Sequence, residues 1–112
     1  MATSVTVGPY VVGEKPAPLV YTFLDSAGVA IDLTGYTAMF SYVRVDGGVP
    51  ATGAATVTSP TAGQVTHSWT GAEFPEPGQF WSEFWVGNTT NRFCSLRLEY
   101  LVRSAVGPVP NI

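Results

Sequence analysis

The side chains able to do chemistry are few, and their spacing limits what they can do. His67 is the only histidine, so a Ser-His-Asp relay would have to be built around it, with an acid from Asp25, Asp32 or Asp46 and a serine that nothing in the sequence marks. No Gly-x-Ser-x-Gly elbow is present. His67 is therefore read as a strand residue beside the sheet tryptophans. A structural zinc takes about four Cys or His ligands, and Cys94 and His67 are the whole supply. Cys94 cannot close an intrachain disulfide and lies in an apolar stretch, where a small buried hydrophobe is expected.

Paired carboxylates, the machinery of glycoside cleavage, would have to come from Glu73, Glu76 and Glu83, the acids nearest to Trp69, Trp81 and Trp85. Glu73 and Glu76 stand in a proline-bearing loop and read as solvated turn residues. Glu83 is expected to answer an arginine across a sheet, such as Arg97. An aromatic platform for the apolar faces of sugars is more credible than hydrolysis, because stacking on Trp or Tyr needs no acid or base. No phosphate-cradling glycine loop leads into a helix, and no calcium loop of alternating acids occurs. Asp25 and Asp32 read as turn and strand-end residues. The expectation is a protein that is not an enzyme and has no catalytic residue, no metal and no cofactor.

The elements that carry these residues are strands. Gln79-Phe80-Trp81-Ser82-Glu83-Phe84-Trp85-Val86, read with a period of two, is apolar on both faces. Phe80, Ser82, Phe84 and Val86 point one way, and Gln79, Trp81, Glu83 and Trp85 the other. Each Trp has roughly 150–250 Å² to bury, worth on the order of 4–6 kcal/mol at about 25 cal/mol per Å², so something is expected to cover the second face. Another subunit or a folded-over terminus would serve.

The chain has 112 residues, the size of one domain, and buries about two thirds of the surface its unfolded form exposes. Only 12% of its residues are charged against 46% hydrophobic, and its 12 Gly and 9 Pro suit short strands broken by turns. Soluble domains average about twice that charged fraction, so the composition favours a component of an assembly. The net charge is −3, and Lys15, Arg44, Arg92, Arg97 and Arg103 are scattered, which argues against a nucleic-acid partner. Met1-Ala2-Thr3-Ser4 lacks the features of a signal peptide, and no apolar run has membrane-spanning length. A protein made and kept in the cytosol, unless an assembly carries it out, is expected.

Residues 1–15 read as an N-terminal arm or edge strand, with Gly8-Pro9 and Gly13 interrupting it. Leu19–Leu24 is a strand, Asp25-Ser26-Ala27-Gly28 a turn, and Val29, Ile31 and Leu33 alternate on a return strand. Tyr36–Val45 is the longest strand signal, with Tyr36, Ala38, Phe40 and Tyr42 on one face and Met39, Val43 and Val45 on the other. Pro50–Gly53 reads as a loop. Ala54–Thr58 and Gln64–Thr70 form a hairpin about Ser59–Gly63, and Gly71–Gly78 a turn across the end of the domain. Arg92–Arg103 is the last strand, with Leu96, Leu98, Tyr100 and Val102 inward. The fold expected is all-β, a single immunoglobulin-like antiparallel β-sandwich of about seven to eight strands over residues 16–104, with extended terminal arms. Residues 105–112 are an extended tail, free or laid along a neighbour.

The order of turns and strands resembles a known family. Pro18-Leu19, Asp25-Ser26-Ala27-Gly28, Ile31-Asp32-Leu33-Thr34-Gly35, Thr56-Val57, Ser59-Pro60-Thr61-Ala62-Gly63, Val65 to Trp69-Thr70, Pro77-Gly78-Gln79-Phe80 and Glu83-Phe84 carry the likeness, over about Pro16 to Val102. They are similar to the immunoglobulin-like sandwich of tailed-bacteriophage virion proteins, especially the amino-terminal domain of upper baseplate proteins and related collar and minor tail proteins. The resemblance implies a structural role in a ring or at the tail tip, and no catalytic residue. Residues 1–112 show no pattern of the coiled stem or receptor-binding region of the baseplate proteins, so host recognition is not expected of them. The expected function is thus a minor tail, baseplate or collar subunit of a virion assembled in the host cytoplasm. It would join copies of itself and other virion proteins, with no nucleic acid and no membrane. The expected contact residues are Trp81, Glu83, Trp85 and Arg97 on one sheet face, with Pro108, Pro110 and Ile112 in the tail. A capsid-surface decoration protein and a small carbohydrate-binding module are the alternatives.

Overall fold

A computed structural model describes residues 4–109; Pro110 and Ile112 lie outside the described residues. The strands are β1 (Ser4–Val11), β2 (Leu19–Thr22), β3 (Thr37–Arg44), β4 (Ala51–Ala54), β5 (Thr56–Ser59), β6 (Gln64–His67), β7 (Gly78–Gly87), β8 (Arg92–Cys94) and β9 (Arg97–Arg103). One sheet runs β1-β9-β7-β3-β4, with β8 also paired to β7, and the other runs β2-β6-β5. In immunoglobulin sandwiches one sheet carries strands B, E and D and the other C, F and G, extended by C′ in variable-type domains. Here β2-β6-β5 and β9-β7-β3-β4 occupy those places. The fold is an all-β, immunoglobulin-like sandwich.

The larger sheet is mixed, which corrects the expectation of a purely antiparallel one. β1 lies parallel to β9, with Ser4 opposite Arg97 and Val7 opposite Tyr100, and its register slips between Val7 and Tyr10. Of the two readings of the N-terminal segment, the edge strand is the one adopted, and its partner is in the same chain. The reason is connectivity: β1 and β2 belong to different sheets, so no tight hairpin dictates the direction in which β1 pairs. β8 and β9 are two parts of the single strand expected over Arg92–Arg103. Trp85 faces Cys94 while Ser82 faces Leu98, so one extra residue is accommodated between them. Ser95 bridges the break, its hydroxyl accepting from the Phe84 N–H at 2.9 Å and donating to the Leu96 carbonyl at 2.7 Å. Leu96 is consequently exposed instead of inward.

Alternation on β7 builds the core. Phe80, Ser82, Phe84 and Val86 are buried, and they meet Phe40 of β3 and Leu98, Tyr100 and Val102 of β9 on the inner face. The hydroxyl of Ser82 donates to the Leu98 carbonyl at 2.7 Å, which satisfies the one polar group in that row. Val65 and His67 of β6, with Trp69 just beyond its end, supply the facing layer.

Two local readings differ from the structure. Val29–Leu33 is no strand; only Leu24 and Ala30 form a bridge. Asp25 Oδ1 accepts from the N–H groups of Ala27 and Val29, and Asp32 Oδ1 from the N–H and hydroxyl of Thr34. These local bonds occupy donors that a ladder would need, and Leu33 instead drops fully buried into the core. Conversely, Ala51, Thr52 and Gly53 are not loop but belong to strand β4, paired with β3 from Met39–Ala54 to Tyr42–Ala51. Its small residues meet a packing demand. A Cβ on Gly53 would stand 2.8 Å from Cε1 of His67.

Candidate functional site: the outer face of the larger sheet

Two tryptophans four residues apart on a central strand stand about 13 Å apart on the same face. On β7 these are Trp81 and Trp85, both half-buried, facing away from the core. Register places Val43 and Glu99 beside Trp81, Ser41 beside Glu83, and Met39 and Cys94 beside Trp85. Leu101, opposite Gln79, extends the apolar row and is 50% exposed. Trp81, Glu83, Trp85 and Arg97 are thus brought onto one surface, as the period of two indicates. Pro108 is exposed in the segment after β9, apart from this cluster.

Each indole is held by polar neighbours. Trp81 Nε1 donates to Glu99 Oε1 at 3.2 Å, and the guanidinium of Arg97 lies 4.1 Å above the ring. Trp85 Nε1 donates to Glu83 Oε1 at 2.8 Å. Arg97 approaches Glu99 at 3.6 Å, not Glu83. The expected Glu83–Arg97 pair is corrected: β9 places Glu99 directly beside Trp81, two residues from Arg97 on the same face, so Arg97 finds its acid on its own strand. Sequence reasoning misses Glu99 as a member of the site, although its i, i+2 spacing from Arg97 is an available signal. The Ser4 hydroxyl first, then the Arg97 charge and the Trp81 N–H, outweigh burial and hold the Glu99 carboxyl below the usual range.

Cys94 is exposed on this face, contrary to the buried reading. The bulge at Ser95 and the pairing with Trp85 turn its side chain outward. Local desolvation and the neighbouring Glu83 carboxylate push its thiol up to about 12.

Two concavities lie along this face, one beside Trp81 and one beside Trp85. One, of about 280 Å³, is lined by Ser41, Val43, Pro50, Trp81, Glu83 and Arg97. The other, of about 820 Å³ and open to solvent, is lined by Thr37, Met39, Trp85, Asn88, Thr89 and Arg92 among others.

The histidine and an acid do meet, but in the interior. His67 is 1% and Glu73 2% exposed, so the reading of Glu73 as a solvated turn residue is overturned. The loop Gly71–Gly78 folds over the end of the sandwich and inserts Glu73 and Phe74 into it. His67 Nδ1 lies 2.6 Å from the Ala54 carbonyl, and Nε2 bonds Oε2 of Glu73. Because a carbonyl only accepts, Nδ1 donates to it, and Nε2 is engaged by the Glu73 carboxyl. Oε1 of Glu73 accepts from the N–H groups of Thr70 and Gly71 and from the Thr70 hydroxyl, each at 3.1 Å. Burial raises the Glu73 carboxyl, but these donors and His67 together outweigh it and hold it below the ordinary range. Phe40 stacks on the imidazole with centroids 4.1 Å apart, and Trp69 meets it edge-on. Both ring nitrogens are engaged by the protein, so this pair has no position from which to reach a substrate.

No protein-family model matches the sequence, and a search of curated proteins finds no relative. Among the described residues, no helix is long and apolar enough to cross a membrane, and no three His, Cys, Asp or Glu side chains gather as a metal site.

Proposed function

We propose that this chain is a non-enzymatic structural subunit of a bacteriophage particle, joined to its neighbours through the outer face of the larger sheet. The observation that carries this reading is that Trp81 and Trp85 face outward, half-buried, with Met39 and Leu101 exposed beside them. Half-exposed indoles with apolar neighbours and an arginine match the composition of interface cores. The engagement of His67 and Glu73 within the interior supports a non-catalytic role. The phage setting rests on the turn-and-strand resemblance described above. Placement in the tail or baseplate is preferred, and capsid-surface decoration would use the same face.

The test is incorporation. In particles produced with Trp81→Ala or Trp85→Ala, copies of the chain per particle should fall at least about tenfold, while the isolated variant keeps cooperative melting. Normal incorporation together with a collapsed isolated domain would overturn the proposal. One observation favours a carbohydrate-reading role as the second possibility: Trp85 borders the open concavity of about 820 Å³ alongside Thr37, Asn88, Thr89 and Arg92. Saturation-transfer NMR with a panel of oligosaccharides addresses it, and signals lost on Trp85→Ala but retained on Trp81→Ala would support it.

A further inference from the structure

The partner of this face can be named from its charges and its size. Glu83 accepts from the Trp85 N–H, and no cation lies within ion-pair distance of it among the described residues. Arg97 is 43% exposed over the Trp81 ring, and the acid within ion-pair distance of it among the described residues, Glu99, is a long 3.6 Å away. Glu83 and Arg97 border the same groove on neighbouring strands, yet each looks outward with its charge incompletely answered. A surface with one such cation and one such anion side by side is complementary to itself. A two-fold axis lying in the plane of contact and passing between them sets Arg97 of one copy opposite Glu83 of the other with the two faces stacked, and the reverse contact follows by symmetry.

The alternatives fit less well. A strongly basic or acidic partner would find this face a poor match, because it carries charges of both signs side by side, Arg97 with Glu83 and Glu99. The size is also right: five strands at about 4.8 Å spacing and about 8 residues at about 3.3 Å rise present on the order of 600 Å² before side-chain relief, close to the roughly 800 Å² that each partner gives to a standard interface.

We infer that the outer face is a two-fold contact between two copies of this chain, stacked face to face, with Trp81 and Trp85 at its centre and reciprocal Arg97–Glu83 ion pairs across it. The inference rests on the reading of this face as one covered by protein, and it names that protein.

Sedimentation analysis of the purified chain at micromolar concentration tests it, with the folded state of every variant confirmed by melting. The wild-type chain is expected to be a dimer, and Trp81→Ala a monomer. Arg97→Glu alone and Glu83→Arg alone each set like charges opposite one another and should weaken the dimer at least about tenfold. Mixing the two variants restores opposite charges across the contact in a heterodimer, because the acid introduced at position 97 of one chain then faces the base introduced at position 83 of the other. Rescue within a single chain cannot produce that result. A wild-type chain that stays monomeric up to hundreds of micromolar, or a mixture of folded variants that fails to associate, overturns the two-fold pairing. If the tryptophan variants still drop out of particles in that case, the face is covered by a different virion protein and only the choice of partner has failed.

Discussion

At the residue scale the decisive feature is the contact between His67 and Glu73 inside the sandwich. Glu73 has a lowered carboxyl in the folded protein, so its contribution to stability is fully present above the ordinary value of 4.5 and is lost as the pH falls through the lowered value. Denaturation measured from pH 7 down into the acid range should therefore show stability falling below the ordinary carboxylate range. Glu99 and Asp32, also lowered, add to that slope, and the part that disappears in Glu73→Gln belongs to Glu73. The same substitution should cost roughly 3–5 kcal/mol at neutral pH, since it breaks a buried pair by removing one partner, and urea unfolding measures it. A second prediction concerns Cys94. With its thiol pushed up to about 12, alkylation at pH 8.5 should run at least about tenfold slower than for an unperturbed cysteine, although the residue is exposed. Glu83→Gln should speed that reaction by removing the adjacent negative charge.

At the element scale, β4 and β1 are the informative strands. Most of β4 reads as loop because Ala51-Thr52-Gly53 has little side-chain volume, yet that lack of volume is what lets the strand lie against His67. Two hydrogen bonds and the Phe40 ring pin the imidazole, so it cannot yield to a new methyl group. Gly53→Ala should destabilise the fold by about 1–3 kcal/mol, the usual cost of overpacking, as read from the midpoint of chemical denaturation. β1 covers the free edge of β9 and carries Tyr10, which packs against Trp69 and Phe74 with centroids at 5.2 and 4.6 Å. Its removal should abolish cooperative melting, because an aromatic cluster and a sheet edge are uncovered together. The alternation on β7, β9 and the aromatic half of β3 is legible in the sequence, since a period of two reports the face directly. The return strand at Val29–Leu33 is misread because alternation there is overridden by the Asp25 and Asp32 turn bonds.

At the scale of the whole molecule, the segment after β9 returns to the chain that leaves β1. Val12 N–H donates to the Arg103 carbonyl at 3.0 Å, and a Cβ on Gly13 would lie 3.0 Å from Cγ1 of Val109. The segment after β9 thus lies against the first strand's end, where the sequence leaves open whether it is loose or on a neighbour. Truncation after Arg103 should leave a folded sandwich with a melting temperature only a few degrees lower, because about one partly exposed Val contact is lost; loss of the cooperative transition would contradict this. By itself, the sequence determined the all-β class, the inward rows of the core strands and the outward turn of Trp81 and Trp85, because strand periodicity is local and each side chain's face follows from its neighbours. Only the tertiary structure decided that β1 runs parallel to β9, that Arg97 turns to Glu99, and that Glu73 reaches His67 in the interior. Those depend on which distant segments lie side by side, and no local pattern carries that information.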